Sequence, residues 1–183
     1  MATAPPGWAD AILRFWFEEC GTDDWFSGSD ALDRAIVARF EPILLELAGE
    51  RAGTFLTDPG TALAAIVLFD QFPRNLYRHE ARAFAFDHLA RELSHAFIER
   101  QWDNGLPDSQ RQFVAMPLMH SENLADQETS LAYFGRHLPA NLPFARSHHE
   151  MIARFGRFPH RNAALGRATT AEEQRAIDEG FSW

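Results

Sequence analysis

The chain has 183 residues, 46% of them hydrophobic, and carries 17 Lys and Arg against 26 Asp and Glu. That is enough apolar material for one continuous core, so a single domain over residues 1–183 is expected. A formal charge of −9 repels a nucleic-acid backbone, and no stretch approaches the ~18 apolar residues of a membrane span, so neither nucleic acid nor a membrane is an expected partner.

From Trp8, the order Ile12, Leu13, Phe15, Trp16, Phe17 predicts a short apolar helix ending near Cys20 and Gly21. Cys20 is the only cysteine, so no intrachain disulfide can form, which fits a reducing compartment. The leading Met-Ala-Thr-Ala-Pro-Pro-Gly has neither a cationic nor an apolar signal region, and a cytoplasmic location is expected. Asp30 to Leu47 reads as a second helix, with Leu32, Ile36, Phe40, Ile43, Leu44 and Leu47 at helical spacing and Pro42 as a possible kink. Thr57-Asp58-Pro59 starts a third, whose run from Ala62 to Phe69 is too uniformly apolar to face water. Pro73 should end it, because its ring disfavours helical geometry at Phe72.

Asp87 should cap a helix to about Trp102, Asp108 one to Met119, and Ser121 one to His137. Pro143 opens another to about Phe155, and Thr170 with Glu173 forms a capping box for the last. No segment shows sustained two-residue alternation, so the reading is all-α: about eight helices, mostly antiparallel because the loops between them are short. Gln71-Phe72-Pro73-Arg74-Asn75 is echoed by Arg157-Phe158-Pro159-His160-Arg161-Asn162, as two matching helix exits would be. The Phe181-Ser182-Trp183 tail could dock on its own chain or on a second copy, so a homo-oligomer is open.

Three dense polar stretches carry whatever chemistry there is. In the first, Phe69 to Arg78, Arg74 and Arg78 could hold a carboxylate or phosphate, or Asp70 could simply pair with an arginine. In the second, Met116 to Gln127, His120, Glu122 and Asp126 could ligate a metal or act as an acid/base pair, while Ser121 and Glu122 also suit a helix start. The third, Ser147 to Asn162, is the most basic: Arg154, Arg157, His160 and Arg161 could form an anion pocket with His149 titrating near neutral pH. Alternatively the third stretch neutralises the acids of the first two. His-Glu-x-x-His, a Gly-rich phosphate loop and a Gly-x-Ser-x-Gly elbow are absent, and Glu92-Leu93-Ser94-His95 reads as a solvated helix face.

FDQFPRNLYR, PLMHSENLADQ and HHEMIARFGRFPHRN, with the leading ILRFWF, together resemble the bacterial family known as domain of unknown function 924 over nearly the whole chain. The resemblance implies an all-helical fold similar to tetratricopeptide-type arrays and no established activity. Asn123 stands where that pattern implies Asp, which argues against a carboxylate-rich metal site there, and His148 precedes His149.

Two functions follow as expectations. One is a binding or interaction module whose polar stretches line a groove for a small anionic ligand or a peptide carboxylate, as concave helical arrays do. The other is a hydrolase, with or without a metal, using His120 or His149 as base, Glu122 or Asp126 as its partner or a metal ligand, and arginines to stabilise an anion. No cofactor is indicated by either.

Overall fold

The computed structural model describes residues 4–181, and all regular structure among them is helical. Helix α1 (Trp8–Arg14) runs without a break into a wide turn of i→i+5 pitch over Phe15–Glu19. A short helix α2 (Thr22–Ser27) follows, then the long α3 (Asp30–Leu47), which takes Pro42 without interruption. Next come α4 (Ala52–Phe55) and α5 (Pro59–Ile66), where the Asp58 carboxylate accepts from the Thr61 N–H and Pro59 fills the first helical position.

The expected stop at Pro73 does not occur. The backbone instead widens into a second i→i+5 turn over Val67–Gln71 and re-enters helix as α6 (Phe72–Leu76), with Pro73 in its first turn. A proline there forfeits no hydrogen bond that the local pitch would have made, so the helix survives it.

A 3₁₀ turn (Ala81–Phe84) leads to α7 (Asp87–Glu99), then α8 (Asp108–Met119), α9 (Leu124–His137) and α10 (Leu142–Phe155). A further 3₁₀ turn (Pro159–Arg161) precedes α11 (Ala171–Asp178), whose Thr170 and Glu173 form the capping box read from the sequence. Among the described residues, eight of the helices have seven residues or more. Asp87 and Asp108 are first helical residues rather than caps, where their charge still favours the helix N-terminus. Ser121 is not the cap of α9: Asn123 is, through its side-chain oxygen on the Ala125 N–H.

The helices stack serially, α1 on α5, α5 on α7, α7 on α8, α8 on α9 and α9 on α10, with α3 lying against α6. The apolar third helix of the sequence is central, as α5 and its wide turn are buried from Ala62 through Gln71. Rings fill the space around it: Phe72 meets Phe15, Trp16 and Phe40 at centroid distances of 6.1, 5.6 and 5.0 Å. A smaller cluster of Met151, Ile152, Phe158 and Ala176 joins α10 to α11, and Phe181 of the tail packs on it. Ser182, Trp183 and Met1 to Thr3, about which the sequence raised docking and signal questions, lie outside the described residues. No helix among the described residues is long and apolar enough to cross a membrane.

Candidate functional site

The wide turn after α5 delivers Asp70 and Gln71 to the buried end of the central helix, and α6 continues with Arg74 and Asn75. Asp70 is 1% exposed and is met from α8 by His120, whose Nδ1 lies 2.9 and 3.0 Å from its two carboxylate oxygens. Burial alone would raise the Asp70 carboxyl, but Arg74 and His120 outweigh it and hold the group below the usual carboxylate range. With Asp70 ionised, the His120 Nδ1–H donates to it, leaving Nε2 on the other edge of the ring. Burial keeps this imidazole below its ordinary pKa despite the carboxylate beside it.

Arg74 donates to the Asp70 carbonyl and, bidentately at 2.9 and 3.1 Å, to Asp87 at the start of α7. Arg161 reaches the same carboxylate at 3.3 Å from the turn after α10. The two echoed Phe-Pro segments therefore converge on one acid. Both place a Pro in the first turn of a short helix behind a fully buried Phe, Phe72 or Phe158; they are helix starts rather than exits.

Arg161 is the most constrained cation of the site. Its guanidinium lies between the rings of Phe84 and Phe158, 4.5 and 4.6 Å from their centroids, and also donates to the His120 carbonyl at 2.9 Å. Its buried Nε–H has no hydrogen-bond partner among the described residues. Burial and the neighbouring Arg74 push this guanidinium down to about 10, so it remains charged at neutral pH.

These groups surround a cavity of about 660 Å³. Arg74, Arg78, Arg161, His120, His148 and His160 line it, together with the amides of Gln71, Asn75, Gln112 and Asn141. Among the described residues, no carboxylate lines it. The acids stand behind the arginines: Asp70 and Asp87 as described, and Asp33 of α3 holding Arg78 at 2.7 and 2.9 Å. The remaining wall is apolar and comes from Trp25 and Phe26 of α2, Phe84, Met116 and Met119 of α8, Phe134 of α9 and Phe144 of α10. Trp25 anchors α2 by donating its indole N–H to the Trp16 carbonyl at 2.8 Å. Gly28 closes α2 at φ +61°, and a Cβ there would sit 2.5 Å from the Arg78 guanidinium, so only glycine lets the two segments meet. His79, also on the wall, holds φ +65°, a conformation a non-glycine residue keeps only where its surroundings impose it.

His120, Arg74, Arg78, His160 and Arg161, all named from sequence, thus share one cavity, with Asp70 directly behind it. The other candidates lie elsewhere. Glu122 accepts from the Phe158 N–H at 2.8 Å and from Arg167 at 2.8 and 3.0 Å, which fixes the turn carrying Arg161. Arg154 and Arg157 pair with Glu172 and Glu173 and tie α10 to α11. Asp126 accepts from Ser121 and lies 2.7 Å from His95, beside a separate hollow of about 350 Å³ lined also by His88, Arg91 and Glu92; the Glu92–His95 face is therefore not merely solvated. His149 is half-buried and off the cavity wall, where His148 stands instead. His148 bonds through Nδ1 to the Phe144 carbonyl at 2.9 Å, and burial with His120 nearby pushes it down to about 3. Burial and Arg161 bring His160 down to about 4. A signal for His148 was available: Ala145, His148, Met151 and Ile152 are the buried stripe of α10 at helical spacing. Burial with Asp24 and Glu19 pushes the Cys20 thiol up to about 11, too high for a nucleophile at neutral pH. Among the described residues, no three His, Cys, Asp or Glu side chains are grouped so as to hold a metal ion.

An all-helical protein whose main cavity is lined by arginines and histidines is thus the class that fold and geometry define. Residues 12–180 match the family described as bacterial protein of unknown function (DUF924), and the chain belongs to it. A solved structure of a protein of unknown function from Agrobacterium tumefaciens is similar over 94% of this chain and 97% of its own, at 35% identity and a TM-score of 0.88. No curated protein matches the chain.

Proposed function

We propose that the cavity binds a small organic anion through a carboxylate or phosphate group. The observation that carries this reading is the sidedness of the charges: three guanidiniums and four imidazoles face the space, while the carboxylates that hold them, Asp70, Asp87 and Asp33, stand behind the wall. A cluster built only to neutralise itself would have no reason to leave a cavity of about 660 Å³ in front of its cations. The stacked guanidinium is preorganised, so little side-chain entropy is lost when an anion arrives.

Thermal unfolding in acetate, benzoate and inorganic phosphate, at matched ionic strength, tests this. Saturation at a hundredfold over Kd stabilises by about 2.7 kcal/mol, which raises Tm by about 5–10 °C in a chain of this size. Arg161→Lys and Arg78→Gln should lose that rise, and Arg154→Ala, at a residue that pairs with Glu172 and does not line the cavity, should keep it. An equal rise in all four proteins, or none in the wild type, would refute the reading.

A second reading, hydrolysis of a bound anionic ester, is favoured by the His120–Asp70 pair at the cavity wall. Among the described residues no serine, threonine or cysteine lines the space, and this reading takes water as the nucleophile and His120 Nε2 as its base. Wild-type turnover of an aryl ester of a dicarboxylic acid, abolished in His120→Asn while anion binding persists, is the expected result; equal rates in both proteins would eliminate it.

A further inference from the structure

Two of the most exposed large hydrophobic side chains of the described residues, Phe26 and Phe144, each 57% exposed, belong to the wall of this same cavity. They come from α2 and α10, which are far apart in the chain. Exposed apolar rings standing together beside a lined cavity are useful when something covers them. Behind them, Trp25, Met116, Met119 and Phe134 continue the apolar wall, while Arg74, Arg161 and His120 form the polar one. The cavity lining thus combines polar donors with apolar side chains that include two exposed rings.

The charges restrict the polar end. Arg74, Arg78 and Arg161 are matched by Asp70, Asp87 and Asp33, so with neutral imidazoles the local sum is already zero. A dianionic phosphate would bring two uncompensated charges into a largely buried space. A carboxylate brings one, which His120 can offset by taking a proton between Asp70 and the ligand.

Resting on the anion-binding reading above, we propose that the ligand is a carboxylate-headed amphiphile. Its head meets Arg161 and His120, and its apolar body runs along Trp25, Met116 and Met119 to emerge between Phe26 and Phe144. Calorimetric titration with acetate, butanoate, hexanoate, octanoate and octyl phosphate, all below their micelle concentrations, tests it. Affinity should rise about fourfold per methylene along the acid series, and octanoate should bind more tightly than octyl phosphate. Phe26→Ser and Phe144→Ser should flatten the long end of the series and leave acetate unchanged. Acetate binding with no chain-length dependence would overturn this proposal alone, whereas silence from acetate, phosphate and every longer acid would overturn the anion-binding reading beneath it. Octyl phosphate binding more tightly than octanoate would overturn the choice of head. Loss of self-association in the serine variants with an unchanged acid series would assign the rings to an interface between copies and refute the proposal.

Discussion

Mild acid should weaken this fold well before its carboxylates titrate. His148 and His160 are held neutral in the native state at about 3 and about 4, whereas an imidazole in the unfolded chain takes its proton near 6.5. A histidine depressed in this way stabilises the fold fully only above the unfolded pKa; the contribution is lost as pH falls through 6.5, until the folded groups protonate too. What faces these rings explains the direction: Phe158 lies edge-on to His148 at 5.6 Å, His120 is 6.0 Å away, Arg161 and Arg74 are the nearby cations, and Glu122 is the one acid acting on His160. Between pH 7 and pH 5 each group should cost about 2 kcal/mol, about 4 kcal/mol together, against a total stability of roughly 5–15 kcal/mol. Carboxylates contribute little in that window, since their unfolded pKa values lie near 4. Urea unfolding at both pH values measures it. His148→Gln, whatever its own stability, should lose about 2 kcal/mol of the wild-type pH dependence, with His160 and the buried His120 supplying the rest. A wild-type midpoint unchanged from pH 7 to pH 5, or a variant with the full slope, would refute the reasoning.

Three further outcomes are expected. Gly28→Ala should lose more stability than Gly156→Ala, as urea midpoints would show: Gly156 is an ordinary left-handed cap at φ +68°, ψ 5°, costing about 1 kcal/mol, whereas Gly28 at φ +61°, ψ 146° lies in a region essentially confined to glycine and its Cβ would also press on Arg78. Phe72→Ala, which empties the space shared by Phe15, Trp16 and Phe40, should cost about 3–5 kcal/mol by the same assay. Carboxylate binding at pH 7 should be accompanied by proton uptake, seen as a dependence of calorimetric heat on buffer ionisation enthalpy; His120→Asn should remove that dependence, and its persistence would place the proton elsewhere.

Helix positions were legible because they rest on local rules. Apolar residues at helical spacing marked α3, and the Asp58 cap and the Thr170–Glu173 box marked the starts of α5 and α11. Errors arose where two local rules compete. Ser121 and Asn123 both suit an N-cap; the serine hydroxyl goes instead to Asp126, which frees Asn123 for the helix. Pro73 looks like a stop until the wide turn before it is known. The polar half of the site was legible as residue types, since Arg74, His120 and Arg161 stand out among apolar neighbours, but their convergence on Asp70 and Asp87 joins segments up to 74 residues apart. The apolar half was hidden. The sequence singles out none of Trp25, Phe26 and Phe144, because a ring's sequence neighbours do not say whether the space beside it will be filled.

The wide turn at Val67–Gln71 has a consequence for how such a site can change. One residue more than a regular helix would use is accommodated there, and each residue advances a helix by about 100°. The turn is a dislocation that sets the phase between the core stripe of α5 and the cavity-facing side of α6. Deleting a single residue from Val67 to Phe69 would give straighter, better-bonded backbone while swinging Asp70 and Arg74 together out of line with His120 and Asp87. Such a variant should keep its far-ultraviolet helix signal and lose its response to anions, with regular pitch gained at the expense of aim.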